Sequence, residues 1–407
     1  MRALRNPFGS LPPEVAVLTA VAFSVALGFG IVAPAIPLFA KAFGVSNFAA
    51  GAVISVFALV RFASAPVAGR LVNRLGERVV LASGIGIVAV SSALAGLSRS
   101  YTQLLVLRGI GGFGSALFTV SAFALLMRVA APDQRGRSAG TYQTGFLLGA
   151  IAGPAFGGPL TAWSLRAPFF VYAATLLVAG AVAMVFLART ALREHEVAAG
   201  TADVAPTPLG TALRSAAYRA AVANNFAVGW AIFGVRSSLI PLFVVEGLRL
   251  GPSWTGAGLV LSAVVQALVL IPTGRMVDSR GRRPFLQAGA AFSMAAGVVM
   301  ALAGSAPLFM IGMALYGTGS AFLSVSSAAV VGDVIGGRGS TPVAAFQMAS
   351  DAGAFLGPLV AGLLADAASF QVAFLATAGV SALAFATTLV MPETSRPKET
   401  SRPEQTA

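Results

Sequence analysis

Four ionisable side chains in this sequence stand where nearly everything around them is hydrocarbon. Asp351 is the only charge between Pro342 and Leu364, Arg61 the only one between Asn47 and Gly69, Arg108 the only one between Tyr101 and Met127, and Arg236 the only one between Ala220 and Val245. A carboxylate in such a setting can take up and release a proton, whereas a guanidinium stays charged and must find a partner, a cavity or a ligand. Asp351 is the one acidic residue expected deep in an apolar run, which makes it the leading candidate for reversible protonation. Counting at about 1.5 Å per residue, Arg61 lies eight residues before Gly69 and Asp351 nine after Pro342, roughly 12–14 Å from the same ends of their helices. Equal depth alone does not pair them; if their two helices are neighbours, an Arg61–Asp351 ion pair follows, serving either proton coupling or static structure.

Other chemistries lack raw material. The chain has no cysteine and one histidine, His195, in a polar stretch. Thiolate or zinc sites and Ser/His or Cys/His catalysis are not supported, and no cofactor is expected. No G-x-x-x-x-G-K-[ST] loop is present, so ATP is not the expected energy source.

The composition says what must hold these charges. Of 407 residues, 57% are hydrophobic and 10% charged, against roughly 25% charged in soluble domains. Lipid has to solvate most of this chain. Twelve runs are long enough to cross a bilayer, at about 14–40, 46–69, 79–98, 102–128, 137–161, 166–188, 218–245, 254–275, 284–304, 307–331, 342–366 and 370–391. The first begins like a signal peptide, with Arg2 and Arg5 ahead of it, but its apolar run is too long for one and is expected to be retained. Residues 1–188 and 218–392 form the two six-span units, 189–217 a polar linker, and 393–407 a polar tail expected to be disordered.

The net charge is +13, yet nucleic acid is not an expected partner, because the basic residues cluster in short turns. With both termini cytoplasmic, 20 of the 27 basic residues fall on the inside, and only Lys41, Arg99, Arg166 and Arg249 on the outside. The chain is also duplicated. GRLVNRLGER (Gly69–Arg78) returns as GRMVDSRGRR (Gly274–Arg283), and GFGSALFTVSAFA (Gly112–Ala124) returns as GTGSAFLSVSSAA (Gly317–Ala329), both 205 residues later. Gly149 with Gly153-Pro154 returns as Gly353 with Gly357-Pro358 at 204. Six spans per half is even, so the repeats are related by an axis along the membrane normal, with a site between them near mid-bilayer.

On these residues the chain resembles the major facilitator superfamily, most closely its twelve-span drug:proton antiporter branch, over nearly its whole length. The resemblance implies an all-α membrane protein of two six-helix bundles. It further implies a monomer in the cytoplasmic membrane that exchanges small organic substrates for protons, and is not an enzyme. The turn between spans two and three is similar to the family's G-x-L-a-D-r-x-G-r-k, with Gly69, Asn73, Arg74, Gly76 and Arg78. In the family this turn latches the halves at the cytoplasmic face. Asn73 replaces the family's Asp and cannot make its ion pair; the second copy keeps Asp278, with Gly274 and Arg282. The run Gly145, Gly149, Gly153, Pro154, Gly157 and Gly158 in span five clears one helix face for close packing and is similar to the family's export signature. Arg108 in span four stands where the family carries an arginine linked to proton transfer; snorkelling to the interface is the alternative.

Arg236, Tyr142, Gln143, Asn224, Gln266 and Gln347 are candidates to line the cavity, although interhelical hydrogen bonds are the commoner fate of uncharged polar groups in spans. No acid lies between Glu14 and Lys41, where many relatives have one. The omission points away from cationic drugs and towards neutral, amphipathic or anionic substrates. A proton-driven uptake permease, and more distantly a membrane-embedded sensor or enzyme, are the alternatives.

Overall fold

The computed structural model of the chain describes residues 12–130, 135–189, 208–335 and 340–394. Among them, twelve helices are long and apolar enough to cross a membrane. We label them α1 (Pro13–Lys41, bent at Ala33–Pro34), α2 (Asn47–Leu75), α3 (Glu77–Gly96), α4 (Tyr101–Val129), α5 (Arg135–Trp163) and α6 (Ala167–Arg189). The second six are α7 (Ala216–Gly247), α8 (Ser253–Arg280), α9 (Arg283–Ala301), α10 (Ala306–Ile335), α11 (Ser340–Ala367) and α12 (Phe370–Leu389). No strand occurs among the described residues, as expected where hydrocarbon cannot satisfy unpaired backbone groups.

Two details differ from the sequence reading. Leu209–Arg214, inside the stretch read as linker, forms a short helix, whose Ala212 is buried in the same cluster as Tyr218 and Ala221. Residues 190–207 lie outside the described residues. Glu393 and Thr394 are not loose tail. Glu393 accepts backbone hydrogen bonds from Arg282 and Arg283 at 2.7 and 3.1 Å, and Thr394 Oγ1 donates to Asp333 at 3.0 Å. The start of α9 offers free N–H groups, and a carboxylate just beyond α12 satisfies two of them.

The span-five glycines meet α1. A β-carbon at Gly149 would overlap the Phe23 carbonyl oxygen, one at Gly153 would lie 2.6 Å from the Leu27 oxygen, and one at Gly157 2.5 Å from the Ile31 oxygen. The second copy repeats this: Gly353 abuts the Phe226 carbonyl, and a β-carbon at Gly357 would lie 2.7 Å from the Trp230 oxygen. Thus α1–α5 and α7–α11 cross backbone to backbone. In both copies of the basic turn the last glycine, Gly76 (φ 79°) and Gly281 (φ 101°), adopts a left-handed conformation. That lets the next helix begin at once.

The first six and last six helices touch mainly through α2 with α11 and α5 with α8. The contacts lie towards the end carrying the α1–α2 and α7–α8 turns. Asp366 accepts the backbone N–H groups of Asn47 and Phe48 at 2.9 and 2.7 Å, Ser55 Oγ donates to the Phe355 carbonyl at 2.7 Å, and Lys41 pairs with Glu246 at 3.1 Å. Gly51 packs on the Pro358 carbonyl, and Gly158 on Gly256. Beyond Arg61, α2 is exposed over much of its circumference, at Ala63, Ala65, Pro66, Val67, Arg70 and Asn73. The bundle is closed at one end and splayed at the other.

Gly149→Leu should cost more than about 2 kcal/mol through overpacking against Phe23 and cut the monodisperse fraction of purified protein. Gly86→Ala, where nothing lies within 4 Å, should be neutral or raise stability by up to about 1 kcal/mol. Thermal denaturation followed by size-exclusion chromatography checks both.

Candidate functional site

The closed and splayed portions meet at an ion pair. Arg61 of α2 donates to the Asp351 carboxylate of α11, joining the first six helices to the last six. Both side chains are about one-third exposed, 33% and 28%, so the pair stays reachable by solvent from the splayed side. Helix α2 reaches this depth because Gly51 and Gly362 allow it to lie against α11 along the closed end.

One turn towards the closed end lies Phe57. Arg108 of α4 stacks its guanidinium 4.3 Å from the centre of that ring and is only 3% exposed, so it does not snorkel. Its Nε has no hydrogen-bond partner among the described residues. Phe29 of α1 stacks on Phe57 at 6.3 Å and meets Tyr172 of α6 edge-on at 6.5 Å, and Tyr172 is within electrostatic reach of both Arg108 and Arg61. Two arginines, one aspartate and three aromatic rings thus converge from α1, α2, α4, α6 and α11.

The second half arranges its intramembrane arginine differently. Arg236 follows directly on a π-helical stretch of α7, Gly229–Val235, where the wider turn re-aims the residues after it. Gly229 is pressed onto the Ser350 carbonyl at its start. Arg236 Nη1 donates to Ser262 Oγ of α8 at 3.2 Å. Ser262 lies 205 residues after Phe57, and Gln266 lies 205 after Arg61. Arg108 and Arg236 therefore engage the same position of paired helices, one across an aromatic ring and the other through a hydroxyl.

The remaining sequence candidates separate. Gln143 and Gln347 are exposed on α5 and α11 and are themselves 204 apart; the duplication would have singled them out as a pair. Gln266 is buried. Tyr142 is packed into the first-half core. Asn224 is fully buried, its Nδ2 donating to the carbonyls of Ala220 and Ala384 at 2.9 and 3.2 Å. In this conformation neither lines an open face, because each satisfies the packing of its own half. Asn73 and Arg74 are exposed, and the side chain of Asp278 lies outside the described residues.

The basic turns supply a feature that sequence reading missed. Glu77 at the start of α3 pairs with Arg128 near the end of α4 at 2.9 Å, and Arg282 before α9 pairs with Asp333 near the end of α10 at 3.2 Å. The positions correspond at 205, with the charges exchanged. Applying the repeat offset to charged residues would have found it. These pairs tie helices within one half rather than between halves.

The family model described as Major Facilitator Superfamily matches residues 18–265 and 226–407. The chain is similar to Multidrug resistance protein 2 of Bacillus subtilis (strain 168), 28% identical over 180 residues covering 44% of this chain and 45% of that one. It is also similar to Quinolone resistance protein NorA of Staphylococcus aureus (strain MRSA252), 26% identical over 174 residues, 43% of this chain and 45% of that one. The match thus spans less than half the length of each of these relatives. In fold it is similar to an inward-facing, occupied bacterial homolog of the human lysosomal transporter Spinster, with TM-score 0.73, 16% identity and coverage of 92% and 95%. It is likewise similar to a POT family transporter in complex with 5-aminolevulinic acid, with TM-score 0.74, 12% identity and coverage of 94% and 96%.

Because Arg61 and Asp351 face each other, a double-mutant cycle of Arg61→Gln and Asp351→Asn should give a coupling of about 1 kcal/mol or more. Each single variant should be less stable than the double variant, since each leaves one uncompensated charge. Thermal unfolding in detergent measures it.

Proposed function

The chain belongs to the Major Facilitator Superfamily and is a multi-pass membrane transporter rather than an enzyme, and on that premise we propose that it exports small organic molecules across the cytoplasmic membrane in exchange for protons. The observation that carries this reading is the Arg61–Asp351 pair, a titratable link between the two halves at the boundary between the closed and splayed regions. Protonating Asp351 removes its charge, frees Arg61 and weakens the seam between α2 and α11; loss of the proton restores it. A substrate admitted from the splayed side would then be exchanged as the halves rock about this level. With the excess of basic residues facing the cytoplasm, the splayed end is the cytoplasmic one and both termini are cytoplasmic. The conformation described is then inward-facing. Units 1–188 and 218–392 serve as the rocking bodies, with the Gly145–Gly157 face of α5 as the rigid crossing onto α1. The chain works as a monomer, and the basic turns act as the cytoplasmic gate, with Asn73 giving the first copy a weaker latch than Asp278 gives the second. Similarity to proteins named for multidrug and quinolone resistance supports export over uptake.

In everted vesicles with an imposed pH gradient, amphipathic compounds and organic acids are added while lumenal pH is followed. Addition of a substrate should dissipate the gradient. Asp351→Asn should reduce that response by about tenfold or more while leaving the protein folded. An undiminished response in Asp351→Asn would remove Asp351 from proton coupling, and substrate flux without any proton movement would remove antiport.

A further inference from the structure

Charge balance around the central level is uneven. Of the three arginines in the spans, Arg61 is neutralised by Asp351. Arg108 and Arg236 have no carboxylate partner among the described residues. Arg108 is sealed under Phe57. Arg236 is half-buried, and its only described hydrogen bond is to Ser262. Tyr316 of α10, 0% exposed, has a hydroxyl with no hydrogen-bond partner among the described residues. Gly317 beside it brings α10 against the Ser262 carbonyl. Gln266, one turn along α8 from Ser262, is also buried. Three helices therefore bring together a guanidinium with unused N–H groups, the Ser262 hydroxyl it donates to and, on α10 packed against Ser262, a buried phenol; the π-helical stretch Gly229–Val235 directly precedes Arg236.

We propose that Arg236, Ser262 and Tyr316 form a site for the anionic headgroup of an amphipathic organic acid, a carboxylate or sulfonate, whose apolar body lies in the cavity between the halves. The guanidinium presents a planar fork of donors suited to such an oxyanion, and the Tyr316 hydroxyl donates a further hydrogen bond. An anion here neutralises one of the two uncompensated guanidiniums, which a cation would instead repel. Phe57 at the corresponding position of α2 cannot accept or donate a hydrogen bond, so recognition falls to the second half. The inference rests on the transport reading above and names the substrate class of that transporter.

The test uses the full chain in nanodiscs of zwitterionic lipid, with two probes sharing one ring and differing in charge: 2-naphthylacetate and (2-naphthylmethyl)trimethylammonium. Binding is followed by titration calorimetry. The acetate should bind about tenfold more tightly than the ammonium. Arg236→Gln should abolish that preference, and Arg236→Lys should keep it in weakened form. Tyr316→Phe, which removes only the hydroxyl, should weaken the acetate by about three- to tenfold with an unchanged unfolding temperature. Equal or reversed affinities, absence of saturable acetate binding, or full acetate affinity in a folded Arg236→Gln protein would each overturn the proposal. Acetate binding without proton-linked flux would leave this site standing and defeat the export reading. Proton-linked flux of cations alone would do the opposite.

Discussion

A chain dissolved in hydrocarbon gains almost nothing from burying one apolar helix face against another, because lipid solvates that face equally well. What remains is van der Waals contact, and it is strongest where backbones touch. The architecture depends on this constraint. Gly149, Gly153 and Gly157 of α5 lie on carbonyl groups of α1, and Gly353 and Gly357 of α11 on carbonyl groups of α7, with no side chain between them. Such crossings hold each half as a firm body. Between the halves, close glycine packing is confined to the closed end, where Gly51 meets Pro358, Gly362 meets Asn47 and Gly158 meets Gly256. Polar contacts join α2 and α11 along the same seam: Asp366 on the start of α2, Ser55 on Phe355, and Arg61 on Asp351. Towards the splayed end the seam is held by side chains, which can be exchanged without moving a backbone.

Duplication built the two halves on one plan, and part of their divergence falls on the charged positions. Gly76 and Gly281 keep the same left-handed turn, and the ion pair beside it is kept with its charges exchanged, Glu77–Arg128 against Arg282–Asp333. The attraction in an ion pair depends on the product of the two charges and not on which helix bears which, so the exchange is tolerated. The surroundings are not equivalent, however. In the second half Glu393 and Thr394 add hydrogen bonds to Arg282, Arg283 and Asp333, binding the segment after α12 to this turn. In the first half Arg128 is 67% exposed, leaving that pair in high dielectric, where it contributes little.

The spans were legible because the bilayer imposes a length and a composition that few other folds share, so the twelve helices lie close to the runs read from sequence. The Arg61–Asp351 pair could be placed by depth together with the adjacency of spans two and eleven that the family resemblance implies, since two rare charges at equal distance from the same face of neighbouring helices have few other partners. Helix rotation was not legible. Apolar residues surround a membrane helix on all sides, so no amphipathic stripe distinguishes the inward face. For that reason Tyr142 and Asn224 looked like cavity residues yet pack into their own halves, and the π-helical turn that sets the direction of Arg236 left no mark in the sequence. Ser262 and Tyr316 passed unnoticed for the same reason. A serine or tyrosine in a span carries no signal until the helix beside it is placed.

Depth and rotation together also explain why the charges form one layer. Phe57 and Ser262 stand at equivalent places on α2 and α8, and each receives an arginine from a different helix of its half, α4 in one and α7 in the other. One turn away, Arg61 and Gln266 occupy the next equivalent pair, and Asp351 closes on Arg61 alone. A symmetric arrangement would place equal charge on both sides of the cavity and give a substrate no preferred orientation. Here the first half holds its second arginine beneath an aromatic ring, while the second half leaves Arg236 with donors to spare. The Asp351 carboxylate and the unsatisfied donors thus belong to different contacts, one on the α2–α11 seam and the other among α7, α8 and α10. On the exchange reading proposed above, binding at one and protonation at the other need not compete for the same atoms, and both bear on the same pair of helix bundles. That separation is what an exchanger requires if its two cargoes are to be coupled through the position of the halves and not through direct displacement.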